Sequence, residues 1–257
     1  MPALTGIIRL SVTLTLLVGY SDKSLAAERS NPELVIALYA KPADRVALRT
    51  ALTVQAARLR RWKADGVLTG YRLMFTRYAD TGTWDAMEQL DFADDSALAR
   101  WNEIERAAPA GLEPSTIALV QSIETTPATR VRSDANGGAT EPVVLVIPYQ
   151  VLVPPADYLQ YLDGYTVPQF RGWMQEGALQ SFDIVTSRYP AGRTWNAMIM
   201  LRYRGDAALA ERDVVVARVR ARLAGNPAWK AISDNKKTIR NERALAIADQ
   251  IAADDAP

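Results

Sequence analysis

The five residues Thr-Trp-Asp-Ala-Met at positions 83–87 return as Thr-Trp-Asn-Ala-Met at positions 194–198. An Arg-Tyr pair stands shortly before each copy, at 77–78 and at 188–189. Over the 23 positions that begin at each of these arginines, 11 are identical without a gap, at a constant sequence offset of 111. Agreement at one constant offset indicates that a module of about 100 residues is present twice.

The composition is that of a globular protein, with 49% apolar and 23% charged residues in a chain of 257. A formal charge of +1 gives no indication of a nucleic-acid partner. The chain has no His and no Cys, which excludes a Ser-His-Asp or Cys-His nucleophile, a thiolate site, a His-ligated haem and the usual zinc sites. We therefore predict no metal and no cofactor, and we assign no catalytic residue.

The segment 1–26 is typical of an export signal. Arg9 precedes an apolar run from Leu10 to Tyr20, and the Ser-Leu-Ala at 24–26 offers small residues where a signal peptidase cleaves. A membrane anchor is the alternative, but about 11 apolar residues fall short of the roughly 20 that span a bilayer. The sequence therefore predicts cleavage near Ala26 and a periplasmic or secreted protein without a membrane span in its mature chain.

The first module is predicted at 32–124. Six of its segments have the patterns of regular structure, namely strands at 34–39, 70–78, 83–92 and 117–123 and helices at 44–66 and from 94 to about 109. Asp44, and Asp94 or Asp95, are the expected helix N-caps. The order is β-α-β-β-α-β.

The second module is predicted at 142–251, after a linker at 125–141 that is rich in Gly and poor in apolar residues. It repeats the order, with strands at 143–149, 181–189 and 194–203 and helices that begin at Asp157 and Asp206. Gly164 and Pro168 are expected to interrupt the first of these helices. The end is open: a strand at 237–242 followed by a terminal helix at 244–251, or a strand that runs further.

Side-chain alternation predicts two faces for the second hairpin strand of each module. Trp84 and Trp195 lie on the more apolar face, which we expect under the helices. The opposite face suits a contact between two sheets and carries Asp85, Met87, Gln89 and Asp91 in one copy and Asn196, Met198, Met200 and Arg202 in the other. The charge changes sign between equivalent positions, Asp91 against Arg202 and Arg72 against Asp183, which favours pairing of the two unlike modules.

A β-α-β-β-α-β unit with helices on one face of its sheet is the ferredoxin-like arrangement. Present twice in one chain, with the hairpin as the best-matched part, it resembles the dimeric α/β-barrel superfamily, which includes antibiotic-biosynthesis monooxygenase-like, stress-responsive barrel and NIPSNAP-like proteins. The resemblance implies an α+β fold in which two tandem ferredoxin-like modules pack their sheets into one pseudo-two-fold α/β barrel. For monooxygenase-like members it also implies oxidation of apolar or aromatic compounds without metal or flavin.

Three tyrosines are the first candidates for ligand binding. Tyr158, Tyr161 and Tyr165 follow helical spacing and share one helix face, which we call the Tyr stripe. It either packs against a partner or another part of the chain, or lines a pocket for an apolar or aromatic ligand.

Four hairpin residues complete the candidate set. Asp85 and Asn196 differ between the copies, and only Asp85 could accept a proton. Arg77 and Arg188 either tie the hairpin to a carboxylate or carbonyl, or bind an anionic group. The two repeated tryptophans either fill the core or line a ligand cavity.

The sequence thus predicts an exported protein that binds a small apolar or aromatic molecule, chiefly in its second module, with cofactor-independent oxidation as an extension. The alternative is a non-catalytic interaction or oligomerisation module outside the cytoplasm, including a homo-oligomer, whose contact surface is the Tyr stripe. The two hypotheses differ in whether the Tyr stripe lines an enclosed space or lies exposed.

Overall fold

The computed structural model describes residues 31–137 and 142–254. The signal peptide predicted at 1–26 lies outside these residues. Within the two described ranges, no helix combines the length and the apolar character that a membrane span requires.

The first module comprises the elements from β1 to β4. They are β1 (Pro32–Ala40), α1 (Arg45–Ala64), β2 (Gly70–Thr76), β3 (Ala86–Asp91), α2 (Asp95–Ala107), α3 (Pro114–Ile117) and β4 (Val120–Ala135). The predicted cap of α2 is present, because the Asp94 carboxylate accepts a hydrogen bond from the Ala97 N–H at 2.8 Å. Asp44 precedes α1 but its side chain makes no such bond.

The second module comprises the elements from β5 to β9. They are β5 (Val143–Val151), α4 (Pro155–Tyr161), α5 (Val167–Gln175), β6 (Leu179–Ser187), β7 (Ala197–Tyr203), α6 (Asp206–Ala210), α7 (Arg212–Leu223), α8 (Pro227–Asn235), β8 (Arg240–Glu242) and β9 (Ala246–Asp254). α4 begins ahead of Asp157, the expected cap, because a proline in the first turn needs no backbone donor.

The helix interruption expected at Gly164 and Pro168 takes the form of a π-helical turn at Leu162–Thr166, which joins α4 to α5. The wider turn accommodates Pro168, whose nitrogen has no hydrogen to donate. A side chain at Gly164 would meet the Ile232 side chain of α8 at 2.9 Å, so this glycine allows α8 to pack closely.

The strands form one closed antiparallel barrel. Hydrogen-bonded neighbours follow the order β7, β6, β4, β1, β3, β2, β9, β5, and β5 pairs with β7 to close the ring, while the short β8 adds to β5. Each module packs its helices on the outer face of the sheet over a separate apolar core. The predicted α+β fold, with two ferredoxin-like sheets in one pseudo-two-fold barrel, is confirmed.

Two long strands connect the modules. β4 pairs with β1 over residues 120–129 and with β6 over 128–135, and β9 is shared in the same way between β5 and β2. Residues 125–135, predicted as linker, therefore belong to a strand, since β1 and β6 take up their backbone hydrogen bonds. The terminal helix predicted at 244–251 is wrong for the same reason, and the alternative of a longer strand is correct.

Apolar side chains fill part of the barrel interior. Met87 and Met198 lie there, as predicted for the face between the sheets. Trp84 and Trp195 lie on the same side, so the expectation that they lie under the helices is wrong. The regular strand begins only at Ala86 and at Ala197, and the irregular backbone before it breaks the alternation on which that expectation depended.

The interior also contains buried charges. Arg72 Nη1 lies 2.5 Å from Asp183 Oδ2, which confirms one of the two predicted pairings between unlike modules. The other expected pair, Asp91 with Arg202, is replaced by a contact of 2.8 Å between Asp91 and Arg130, while Arg202 donates to Ser181.

Glu33 joins this group, 2.8 Å from the Nε of Arg130. Burial raises the pKa of Glu33 to about 8, although the attraction of Arg130 opposes it. Glu33, Asp91 and Asp183 thus share the closed interior with three cations, Arg72, Arg130 and Arg202.

Candidate functional site

Asp85 and Asn196 hold the end of the first strand in their modules. Asp85 Oδ2 accepts a hydrogen bond from the Ala40 N–H at 2.7 Å, and Asn196 Oδ1 accepts one from the Val151 N–H at 2.6 Å. Asn196 also donates to the Val151 carbonyl at 3.1 Å. Ala40 and Val151, like Asp85 and Asn196, are separated by the constant offset of 111. The two side chains therefore have the same structural role in the two modules.

In the first module, Arg45 fills the corner between α1 and the ends of β2 and β3, which we call the Arg45 corner. Its guanidinium donates to Thr76 Oγ1 at 3.1 Å and also binds the Asp85 carboxylate and the Thr76 carbonyl. The guanidinium carbon lies 4.6 Å from the centre of the Phe75 ring, a cation–π distance. The side chains of Arg45 and Asp85 are only 13% and 14% exposed, so the pair is a packed part of the structure.

The second module lacks these groups. At the equivalent positions of the repeat, the replacements are Ala156 for Arg45, Thr186 for Phe75, Ser187 for Thr76 and Asn196 for Asp85. The guanidinium and the aromatic ring are lost together, and the charge of the carboxylate is lost with them. A buried carboxylate without its cation is strongly destabilising, which explains why an amide stands at position 196.

A cavity of about 330 Å³ lies at this corner of the second module, between α4 and the ends of β5 and β6. We call it the side cavity. Its lining residues are uncharged and mostly apolar: Val131, Val151, Val153, Pro155, Tyr158, Leu159, Thr186, Ser187, Pro190 and Asn196. The structure thus brings two of the predicted site residues, Tyr158 and Asn196, to one cavity.

Two hydroxyl groups at the side cavity are buried without a hydrogen-bond partner among the described residues, Tyr158 OH and Ser187 Oγ. An unsatisfied buried hydroxyl costs about 1–3 kcal/mol. Burial raises the pKa of Tyr158, although Arg240 opposes the shift, so the phenol stays protonated at neutral pH. Both residues line the side cavity, so these hydroxyls are unpaired polar groups in its wall.

The rest of the Tyr stripe lies in the core. The ring centres of Tyr158, Tyr161, Tyr165 and Trp229 follow one another at 5.9, 5.3 and 5.0 Å, and none of the three tyrosines is more than 3% exposed. Tyr161 OH accepts a hydrogen bond from Arg240 at 2.6 Å. α8, which carries Trp229 and covers the stripe, was not expected from the sequence. Tyr161 and Tyr165 do not line the side cavity.

Arg77 and Arg188 tie each hairpin to the other module. Arg188 donates to Asp95 at the start of α2, at 2.8 Å, and Arg77 donates to Asp206 at the start of α6. Arg77 also donates to Asp249 at 2.7 Å. Hydrogen bonds to Asp206 and Asp249 raise the pKa of Arg77. These contacts agree with the structural alternative for the two arginines, and neither lines the side cavity.

A second cavity, of about 380 Å³, opens where β3 and β7 begin, inside the barrel. We call it the barrel cavity. Trp84 and Met87 line it from one module, and Trp195 and Met198 line it from the other. The repeated stretch therefore surrounds a cavity, a role that the sequence analysis gave only as the alternative for the two tryptophans. Their identity in both copies was the signal for a shared position near the pseudo-two-fold axis.

The comparisons with known proteins concern the fold. No protein-family model matches the sequence, and no curated protein is similar to it. An anthrone oxidase-like protein superposes with a TM-score of 0.57, covering 90% of this chain and 95% of its own, at 11% identity. Proposed monooxygenases from Fusobacterium nucleatum subsp. nucleatum and Lactobacillus acidophilus give TM-scores of 0.56 and 0.53, covering 88% and 87% of this chain and 95% of theirs, at 12% identity. The chain has the ferredoxin-like dimeric α/β-barrel fold.

In this α/β barrel, one chain supplies both halves. The two cavities lie on opposite faces of the sheet, the barrel cavity inside the ring and the side cavity under the helices of the second module. Across residues 31–137 and 142–254, no group of three or more Asp or Glu side chains is arranged to hold a metal ion.

Proposed function

We propose that this protein binds a small, neutral apolar or aromatic molecule in the side cavity. The observation that carries the proposal is the difference at one equivalent corner. Arg45 with its partners fills the corner in the first module, whereas Ala156 and smaller or uncharged neighbours accompany an open cavity in the second. Both modules have this corner. In the first module side chains of the protein fill it, whereas in the second they leave it empty.

The lining defines the class of ligand. Without a charged side chain, the cavity offers nothing to compensate the desolvation of an ionic group, which favours a neutral molecule. The free hydroxyls of Tyr158 and Ser187 suit one or two polar atoms on an otherwise apolar body. A cavity of about 330 Å³ is at the small end of ligand sites, consistent with one or two rings.

Oxidation of the bound molecule is a finer part of the proposal. It has support from the fold alone, since the similar structures include an anthrone oxidase-like protein and proposed monooxygenases. The side-cavity residues would bind and orient the substrate and exclude water. The substrate would supply the electrons to dioxygen, with one oxygen atom entering the product and the other leaving as water.

The alternative of an interaction module depended on an exposed Tyr stripe. Its three rings are at most 3% exposed, so they present no contact surface to a partner. We further propose that the protein acts outside the cytoplasm, on the pattern of the segment 1–26, and that it could associate with further copies through other surfaces.

Native mass spectrometry of protein purified from its own host tests the proposal. We expect wild type to retain a small neutral molecule, and the variant Ala156→Arg/Asn196→Asp, which introduces the pair found in the first module, to retain none. Equal retention by both proteins, or none by wild type, would contradict the proposal. Oxygen consumption by wild type with the identified ligand then distinguishes oxidation from binding alone.

A further inference from the structure

A second and chemically different site lies inside the barrel. We propose that the barrel cavity binds an organic cation through a quaternary ammonium group, held between Trp84, Trp195 and the carboxylate of Glu124. The site shares no residue with the side cavity and does not depend on the function proposed for it.

Aromatic rings form much of the wall. Trp84 comes from the first module and Trp195 from the second, and the Tyr39 ring joins them. The faces of such rings attract cations electrostatically, and indole does so most strongly. A sphere of 380 Å³ has a radius of about 4.5 Å, so a cation near the middle would lie within the roughly 6 Å over which this attraction acts. Met87 and Met198 add an adaptable apolar surface for methyl groups.

Glu124 supplies the negative charge. It is the single carboxylate in the cavity lining as far as the described residues go, and it accepts a hydrogen bond from Tyr39 OH at 3.3 Å. Burial, together with the nearby Glu124, raises the pKa of Tyr39 to about 12, so the phenol remains a neutral donor. The carboxylate is thus fixed at the wall, with lone pairs still free for a ligand.

The two modules contribute opposite charges to the cavity, Glu124 from the first and Arg243 from the second. In the strand register Leu38 pairs with Ile123, and its equivalent Tyr149 pairs with Glu242, so Ile123 of β4 corresponds to Glu242 of β8. The next residue along each strand gives Arg243 as the counterpart of Glu124, and the Arg243 N–H accordingly donates to the carbonyl of Pro148, the equivalent of Ala37. The two tryptophans are thus related by the repeat, whereas the carboxylate is present on one side only, which gives the site one defined place for a positive group.

Arg243 allows a test of whether the bound ligand carries a positive charge. It also lines the cavity and is exposed at the surface. Its guanidinium repels a bound cation, so removing this charge should strengthen binding of a cation and leave a neutral ligand unaffected.

Isothermal titration of the full chain with choline and with 3,3-dimethylbutan-1-ol, its neutral isostere, tests the proposal. We expect choline to bind at least about tenfold more tightly than the isostere, and Glu124→Gln to weaken choline binding at least about tenfold. Trp84→Leu should weaken choline binding by a similar factor, whereas Arg243→Gln should strengthen it severalfold.

Glu242→Gln is the matched control, because Glu242 accepts a hydrogen bond from Tyr149 OH at 3.4 Å in a similar Tyr-Glu pair away from the barrel cavity. It should leave choline affinity unchanged. The proposal is overturned by no binding of choline up to about 10 mM, by equal affinity for the two ligands, or by a folded Glu124→Gln protein that binds like wild type. If Trp84→Leu fails to fold, the comparison of choline with its neutral isostere and the Glu124→Gln variant still test the proposal.

Discussion

The Arg45 corner and the side cavity occupy equivalent places in the two modules, and they differ in what fills them. In the first module a guanidinium, a carboxylate and an aromatic ring satisfy one another and close the corner. In the second, all three are replaced, while the amide of Asn196 keeps the hydrogen bonds that hold the end of β5. The side chain that holds the end of the first strand is thus retained in both modules. The arginine that packs against it is lost in the second, and its loss leaves space for a ligand.

The largest effect is expected where the modules differ in charge inside the barrel. Arg72→Met should lower the free energy of unfolding by about 4 kcal/mol, because the buried Asp183 carboxylate loses its nearest cation and keeps only Arg130, at 3.1 Å. Arg72→Met/Asp183→Asn should recover part of this loss, because the buried carboxylate is removed together with its cation. Urea unfolding measures both variants, and a double variant no more stable than the single one would contradict the assignment.

Arg45→Ala should cost about 3 kcal/mol, because Asp85 then stays partly buried without its cation. Arg45→Ala/Asp85→Asn recreates the residues of the second module and should be more stable than Arg45→Ala alone. Arg49→Ala is the control, since Arg49 also lies over the Phe75 ring, at 5.5 Å, but has a side chain that is 52% exposed. Thermal unfolding of the three variants measures these effects. If Arg49→Ala lowered the stability as much as Arg45→Ala, the role assigned to the Arg45 corner would be wrong.

A pH effect is expected from Glu88, whose equivalent in the second module is the buried Ile199. Glu88 is fully buried, and burial raises its pKa to about 8 from an ordinary value of 4.5, although a hydrogen bond with the Gln55 side chain opposes the shift. The unfolded chain releases this proton above about pH 4.5 and the folded chain keeps it to about pH 8, so stability falls as pH rises through that window. The slope is at most roughly 1.4 kcal/mol per pH unit.

Glu88→Gln should remove this part of the slope. Urea unfolding at several pH values gives the comparison, and Glu33, whose pKa is also raised, is present in both proteins and so does not affect the difference. Parallel stability curves for wild type and Glu88→Gln would show that the Glu88 carboxyl does not hold its proton as proposed.

Sequence patterns were sufficient for most strands and helices of the two modules, because hydrophobic periodicity and the repeat depend on local and repeated residues. The closed barrel followed from the resemblance to the α/β-barrel superfamily. Sequence patterns failed where a strand pairs with residues that are distant in the sequence. Nothing local to residues 125–135 distinguishes a linker from a strand that bridges two modules, and nothing local to Trp84 shows that the alternation begins only at Ala86.

The candidate site was predicted in part. Tyr158 and Asn196 line the side cavity, but Tyr161 and Tyr165 are covered by α8, an element that the repeat did not contain. Arg45 was missed as a site residue, because it lies at the start of α1, outside the segments in which the two modules are most alike. At the constant offset of 111, Arg45 corresponds to Ala156, and this loss of a large charged side chain is the feature of the sequence that indicates the cavity.

The central claim is that the side cavity binds a ligand because the Arg45 group is absent from the second module. Fluorescence titration with 1-naphthylamine, a neutral apolar probe of two rings, tests it directly on wild type and on the folded variant Ala156→Arg/Asn196→Asp. Trp84→Leu in the barrel cavity is the control. We predict saturable binding to wild type and to the control, and at least about tenfold weaker binding to the variant with the introduced Arg-Asp pair. Equal affinity of that variant and wild type would contradict the account.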